Sequence, residues 1–170
     1  LGNLDRFTIA TEELLEGGHI VKPGATYTVV DDTGQAEAEG VAEFILSKGG
    51  QVRFVTRFAD FAPLINVAWR SRPALRRLYA TERFTLHTHA HVDAISAEGD
   101  VQVASFVGKT EAPYRTDHIL FVGFNHPRNA LEPALRDAGF AGEVRLIGDS
   151  KSPRYLHAAI HEGFLAGASL

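Results

Sequence analysis

Apolar and polar positions change their spacing several times along the chain, and each change predicts an element. The run Thr11-Glu12-Glu13-Leu14-Leu15-Glu16 reads as a capped helical turn closed by Gly17-Gly18, and Lys22-Pro23-Gly24 marks a loop. A β-rich run, Thr26-Tyr27-Thr28-Val29-Val30, then ends on Asp31-Asp32 and Gly34. Ala38, Val41, Ala42, Phe44, Ile45 and Leu46 follow at helical spacing and stop at Gly49-Gly50, after which Val52-Arg53-Phe54-Val55-Thr56 reads as another strand of the buried kind. Strand, turn, helix, glycine stop and strand make a βαβ unit, whose crossover sets the two strands parallel.

Two short helices are expected near 62–70 and 73–80, divided at Pro73. Residues 83–107 alternate as two or three antiparallel strands, 84–92 and 101–107 with a turn near Glu98-Gly99-Asp100. After a loop around 109–115, residues 118–123 read as a buried strand ending at Gly123. A helix over about 130–137, a strand over 144–147 running into Gly148-Asp149, and a final helix starting near Pro153 complete the chain. The fold class is therefore α/β: a Rossmann-like, largely parallel sheet with helices on both faces and an antiparallel β-ribbon crossover. The expected division is a linker with a short helix over 1–25, a dinucleotide-binding-like domain over 26–123, and a closing segment of a second such domain over 124–170.

The 170 residues, with 45% hydrophobic and 22% charged side chains, have ordinary globular composition. A net charge of −4 argues against a nucleic-acid binder. With no cysteine, the chain can supply neither a disulfide, a thiolate metal site nor a cysteine nucleophile. No apolar run is long enough to span a membrane and residues 1–10 lack a signal-peptide layout, so a cytoplasmic location is expected. A chain that lacks methionine and begins at Leu1 reads as an excised fragment.

A strand running through a turn into a helix presents free backbone N–H groups, which suit a phosphate when glycines let it approach. Here only Gly34 lies in the first turn, among Asp31, Asp32, Glu37 and Glu39. Each acid would repel a pyrophosphate by roughly 1 kcal/mol at about 4 Å in a solvated setting, so the architecture of a dinucleotide site is expected without its chemistry. Asp31 and Asp32 are read as capping the following helix, and Arg57, just after the second strand, as a candidate for the adenosine ribose or its 2′-phosphate.

The stretches VVDDTGQAEAEGVAEFILSKGGQVRFVT (29–56), DHILFVGFNHPRNALEPAL (117–135) and VRLIGDSKSPRYLHAAIHEGFLAG (144–167) together resemble the C-terminal part of a flavoprotein family. This is the trimethylamine dehydrogenase, histamine dehydrogenase and 2,4-dienoyl-CoA reductase type of NADH:flavin oxidoreductase. The resemblance implies a missing N-terminal part, an old-yellow-enzyme-like barrel carrying FMN and a 4Fe-4S cluster, as the partner of this segment. It implies that ADP or FAD can bind the second domain, with Gly148, Asp149, Pro153 and Arg154 at the flavin ribityl chain and pyrophosphate. Gly34, Arg57 and Gly123 would line the first crevice. The acids at 31 and 32 favour the amine dehydrogenase or demethylase branch, with the isolated chain inactive and the full-length protein able to form homo-oligomers.

Two other readings remain open at this stage: a working NAD(P)H domain of an enoate or dienoyl-CoA reductase-like enzyme, and a non-catalytic scaffold or docking module. The arginines at 70, 72, 76 and 77 suit either a nucleotide phosphate or a basic docking surface. His87, His89 and His91 would share one face of a strand, which can chelate a metal but more simply is a half-exposed polar face. His157 and His161, one turn apart, are read as a solvated helix face.

Overall fold

A computed structural model describes residues 4–108, 110 and 112–169. Residues 1–3 of the expected linker, residues 109 and 111 of the loop expected over 109–115, and residue 170 lie outside this set. The described chain forms two compact units, Leu1–Gly123 and Phe124–Leu170.

In the first unit, β1 (Thr26–Asp31), β2 (Gln51–Thr56), β3 (Phe84–His87) and β7 (His118–Val122) form a wholly parallel sheet in the order β3-β2-β1-β7. The helix α3 (Ala36–Ser47) makes the crossover from β1 to β2. Tyr27 and Val29 of β1, Val52 and Phe54 of β2, Phe84 of β3, and Leu120 and Val122 of β7 point to one face. There they pack against α2 (Thr11–Leu15), α3 and α4 (Ser71–Tyr79). Each such side chain, fully buried, contributes roughly 1.5–3 kcal/mol. The alternate residues Val30, Val55 and Ile119 face the other way. That face carries Phe7 of the short α1 (Leu4–Phe7) and, mainly, a second sheet of β4 (Ala90–Ile95), β5 (Asp100–Ser105) and β6 (Tyr114–Arg115), all antiparallel. The ribbon is thus a full layer over the parallel sheet.

A polar seam crosses this second face. Buried Thr28 donates to Thr116 Oγ1 at 3.0 Å and lies 3.2 Å from the Tyr114 hydroxyl, and Arg53 stacks over the Tyr114 ring at 5.0 Å. The segment before β1 belongs to the same unit, with Ile9, Leu14 and Val21 in the helical-side core. Thr8 forms a parallel bridge to Ile119, and Ile9 N–H donates to its carbonyl at 3.0 Å, on the side of β7 away from β1.

Three elements differ from the sequence expectation. The strand expected over 84–92 is two strands in different sheets, because His89 adopts φ 48°, a left-handed turn that breaks the alternation between β3 and β4. His87 is consequently buried in the parallel sheet while His91 stacks on Phe106, so the three histidines share no face. The first of the two short helices is a 3-10 helix, Pro63–Ala68. Residues 144–147 form no strand, since a strand needs a ladder partner and the second unit supplies none among the described residues. That unit consists of α5 (Leu131–Asp137), a 3-10 turn Gly148–Ser150 and α6 (Leu156–Ala168).

At the N-terminal end of the parallel sheet, His19, Tyr27 and His118 pack ring to ring, with His19 and His118 centroids 4.5 Å apart and His19 Nε2 3.2 Å from the Tyr27 hydroxyl. Burial, then the neighbouring His19, hold the His118 imidazole below its ordinary value, with Lys22 adding to this and Asp117 opposing it. The unfolded chain therefore binds a proton at His118 more readily than the folded one, and stability is full above the ordinary value and declines as pH falls through the lowered one. Thermal melting of the chain should show a midpoint that drops between about pH 7 and about pH 5, with a shallower drop in His118→Gln.

Candidate nucleotide site

In a parallel sheet of this order, the crevice beyond the C-terminal strand ends, beside β1 where the order reverses, is where a dinucleotide would lie. Gly34, Arg57 and Gly123 all come to this edge. Arg57 follows Thr56, whose partner across the sheet is Asp31, and Gly123 follows Val122, also paired to Asp31.

Asp31 is wholly buried. Its Oδ1 accepts hydrogen bonds from the backbone N–H of Thr33 at 3.0 Å, the Thr33 hydroxyl at 3.1 Å and the backbone N–H of Gly34 at 2.8 Å. The Thr56 hydroxyl lies 3.3 Å from Oδ2 and 3.2 Å from the Asp31 carbonyl oxygen. Two N–H donors of the loop, those of Thr33 and Gly34, are thus taken by an internal acid. The expectation that Asp31 and Asp32 cap the following helix needs correction. Asp31 caps the turn, while the residue preceding α3 is Gln35, which makes no side-chain capping bond. Asp32 points outward, and Arg57 bonds its carbonyl oxygen at 3.1 Å and approaches its carboxyl at 3.6 Å. Arg57, after β2, therefore answers an acid of the loop that follows β1.

Gly34 has φ +68°, and a Cβ placed on it would lie 3.0 Å from the Phe58 ring and 3.1 Å from Pro63. The room that a glycine opens in such a turn is filled by side chains of the next loop, and Leu64 N–H seals the contact by donating to the Gly34 carbonyl at 3.0 Å. On the Gly34 side the crevice is occupied by Phe58 and Pro63. At Gly123 the surrounding space is open.

Gly148, Asp149, Pro153 and Arg154 come together in one turn of the second unit. Gly148 has φ +57° and faces Ala159 of α6, which a Cβ would approach to 3.0 Å, so a glycine is needed there for the turn to sit against the helix. Its N–H donates to Glu162 Oε2 at 2.8 Å. Glu162 Oε1 also accepts from the Arg154 guanidinium and faces Lys151 Nζ at 3.5 Å. The Arg154 bond, then the Gly148 N–H, hold the Glu162 carboxyl below the usual carboxylate range. Asp149 is exposed, and its Oδ1 accepts from the Arg154 N–H at 3.3 Å. Pro153 is half-buried and precedes α6.

Phe58, Pro63 and Glu162 went unnoticed in the sequence as site residues. The first two sit in an irregular loop without periodicity, whereas Glu162 is an acid on α6 whose basic partners, Lys151 and Arg154, precede that helix. Among the described residues no group of three potential ligands could hold a metal ion, and no helix is long and apolar enough to cross a membrane.

No family model and no curated protein matches the chain. Among solved structures, histamine dehydrogenase from Rhizobium sp. 4-9 superposes over 96% of this chain with a TM-score of 0.81 at 22% identity. The chain has the fold found within histamine dehydrogenase. The 6-hydroxypseudooxynicotine amine oxidase HisD from Pseudomonas geniculata N1 matches equally well, with a TM-score of 0.82, 21% identity and 94% coverage. The flavoprotein disulfide reductase RclA from Escherichia coli follows at 0.62, with 17% identity over 96% of this chain. This is the α/β fold that the family resemblance implied. The chain spans about a quarter of the first two proteins, 26% and 24% of their lengths.

Replacing Asp31 by Ala strands the Thr33 and Gly34 N–H groups, so denaturant titration should show a loss of about 2–4 kcal/mol, with Asp31→Asn losing less because one acceptor oxygen remains. Gly34→Ala should lower stability by about 1–3 kcal/mol, through both the left-handed backbone and the contacts with Phe58 and Pro63.

Proposed function

We propose that this chain is the nucleotide-domain segment of a larger flavin-dependent oxidoreductase of the amine-oxidising kind, in which the first unit keeps a dinucleotide-binding architecture but takes no NAD(P)H. The observation that carries this reading is the self-filled crevice: Asp31 holds the loop N–H groups, and Phe58 and Pro63 occupy the space before Gly34. A reductase fed by a nicotinamide would need both free. The likeness in fold to histamine dehydrogenase and HisD, over nearly the whole chain and a quarter of theirs, supports the same assignment.

In this reading the second unit is the closing piece of an FAD- or ADP-binding-like domain. Residues 144–147 form no strand among the described residues, and α6 exposes Leu156, Ile160, Phe164 and Leu165, an apolar stripe of the kind that other parts of a longer polypeptide cover. Asp149 is the residue that would hold a ribityl or ribose hydroxyl there. With no cysteine in the chain, an iron–sulfur cluster would be held elsewhere, as would FMN and the amine substrate, in a barrel domain of the same protein.

Calorimetric titration of the chain with NADH and with NADPH tests the reading. No saturable heat is expected for either, in the parent chain or in Arg57→Ala. Saturable binding that Asp31→Ala or Arg57→Ala alters would place a nicotinamide dinucleotide at the β1 crevice and overturn it.

A further inference from the structure

The chain carries an exposed patch that the crevice does not use. The 3-10 helix Pro63–Ala68 and the start of α4 are joined into one piece, with the Ser71 hydroxyl donating to Asn66 Oδ1 at 2.9 Å and Trp69 N–H to the Asn66 carbonyl at 2.8 Å. The inner side of this piece, Phe61, Ala62, Ala74 and Leu78, is core. Its outer side presents Leu64, Val67 and Trp69, of which Val67 is 87% and Trp69 79% exposed. Trp69, the one tryptophan of the chain, sits at φ 56°, and Ala62 at the other end of the 3-10 helix at φ 43°. Left-handed backbone at a bulky residue costs energy. Here it holds an indole in water, where the fold gains nothing from it.

The charge of the patch is as unusual as its exposure. Residues 61–81 hold four arginines, at 70, 72, 76 and 77, and no acid, against a net −4 for the whole chain, so the remaining residues carry −8 (−4 less +4). Arg77 is engaged by Glu43 at 2.6 Å and Glu39 at 3.3 Å. Arg70, Arg72 and Arg76 are exposed and make no salt bridge among the described residues, although Arg70, like Arg77, is close enough to Glu39 to act on its carboxyl. Tryptophan and arginine are the side chains that most often carry the energy of a protein interface, an aromatic anchor for a pocket and guanidinium forks for carboxylates.

We infer that Leu64, Val67 and Trp69 with Arg70, Arg72 and Arg76 form a docking surface for an acidic protein face that offers an apolar depression to Trp69. The excess of arginine selects carboxylates, and the exposed apolar residues supply what a purely electrostatic contact lacks. This surface is independent of whether the crevice binds a nucleotide.

Trp69 is itself the reporter. The probe is a tryptophan-free synthetic peptide of alternating glutamate and phenylalanine, titrated into the full chain while Trp69 emission is followed. A saturable blue shift is expected, weakened roughly tenfold by Arg72→Glu or Arg76→Glu, both at exposed positions of α4 whose folding is checked by circular dichroism. Raising salt from about 0.1 M to about 1 M, which shortens the screening length from about 10 to about 3 Å, should weaken it as well. The inference is overturned if the peptide leaves Trp69 emission unchanged, or if folded Arg72→Glu and Arg76→Glu respond as the parent does. It is equally overturned if anionic phosphatidylglycerol vesicles or a single-stranded oligonucleotide shift the emission at lower concentration than the peptide, making the surface one for lipid or nucleic acid.

Discussion

A backbone turn that ends a buried strand cannot leave its N–H groups without acceptors, and in this chain the acceptor is covalently part of the strand. Asp31 closes β1 and answers the donors of Thr33 and Gly34, with Thr56 of the neighbouring strand holding the second carboxyl oxygen. The path of the chain into α3, the close approach of Phe58 and Pro63, and the seating of the 3-10 helix all follow from a turn satisfied from within. The second unit repeats the solution with different residues. Glu162, reaching back from α6, takes the N–H of Gly148 and binds Arg154, so an acid again serves a glycine turn. In both places a glycine turn has its N–H answered by an acid of the protein itself.

Most of the fold could be read from residue spacing because the parallel sheet is buried on both faces and its strands are continuous apolar runs. Thr26–Asp31, Gln51–Thr56 and His118–Val122 all coincide closely with such runs, and the helix between the first two ends where Gly49-Gly50 said it would. Alternation failed where local pattern carries no information about which sheet a strand joins. Residues 84–92 alternate well, yet a left-handed His89 sends one half to the parallel sheet and the other to the ribbon. Residues 144–147 have strand composition but, among the described residues, no neighbour to make them a strand, since pairing is a property of two segments.

The candidate site was legible in its chemistry and opaque in its filling. Two acids in a turn with a single glycine were visible in the sequence, but not that Asp31 turns inward to meet Thr56, 25 positions later. Phe58 and Pro63 belong to a stretch without periodicity, and their contact with Gly34 depends on a loop path that no local rule specifies. That Arg57 lies beside Asp32 follows from the register in which β1 and β2 pair, which residue spacing along the chain does not specify.

The short pairing of Thr8 and Ile9 along β7 has a consequence for how the chain can be cut. An outer strand with bare amides is a template on which like molecules stack. The residues ahead of the first long strand therefore act as a selvedge, finishing the border of the sheet. A shortened version beginning near residue 25, chosen because the obvious nucleotide fold starts there, would fray on that side and invite self-association.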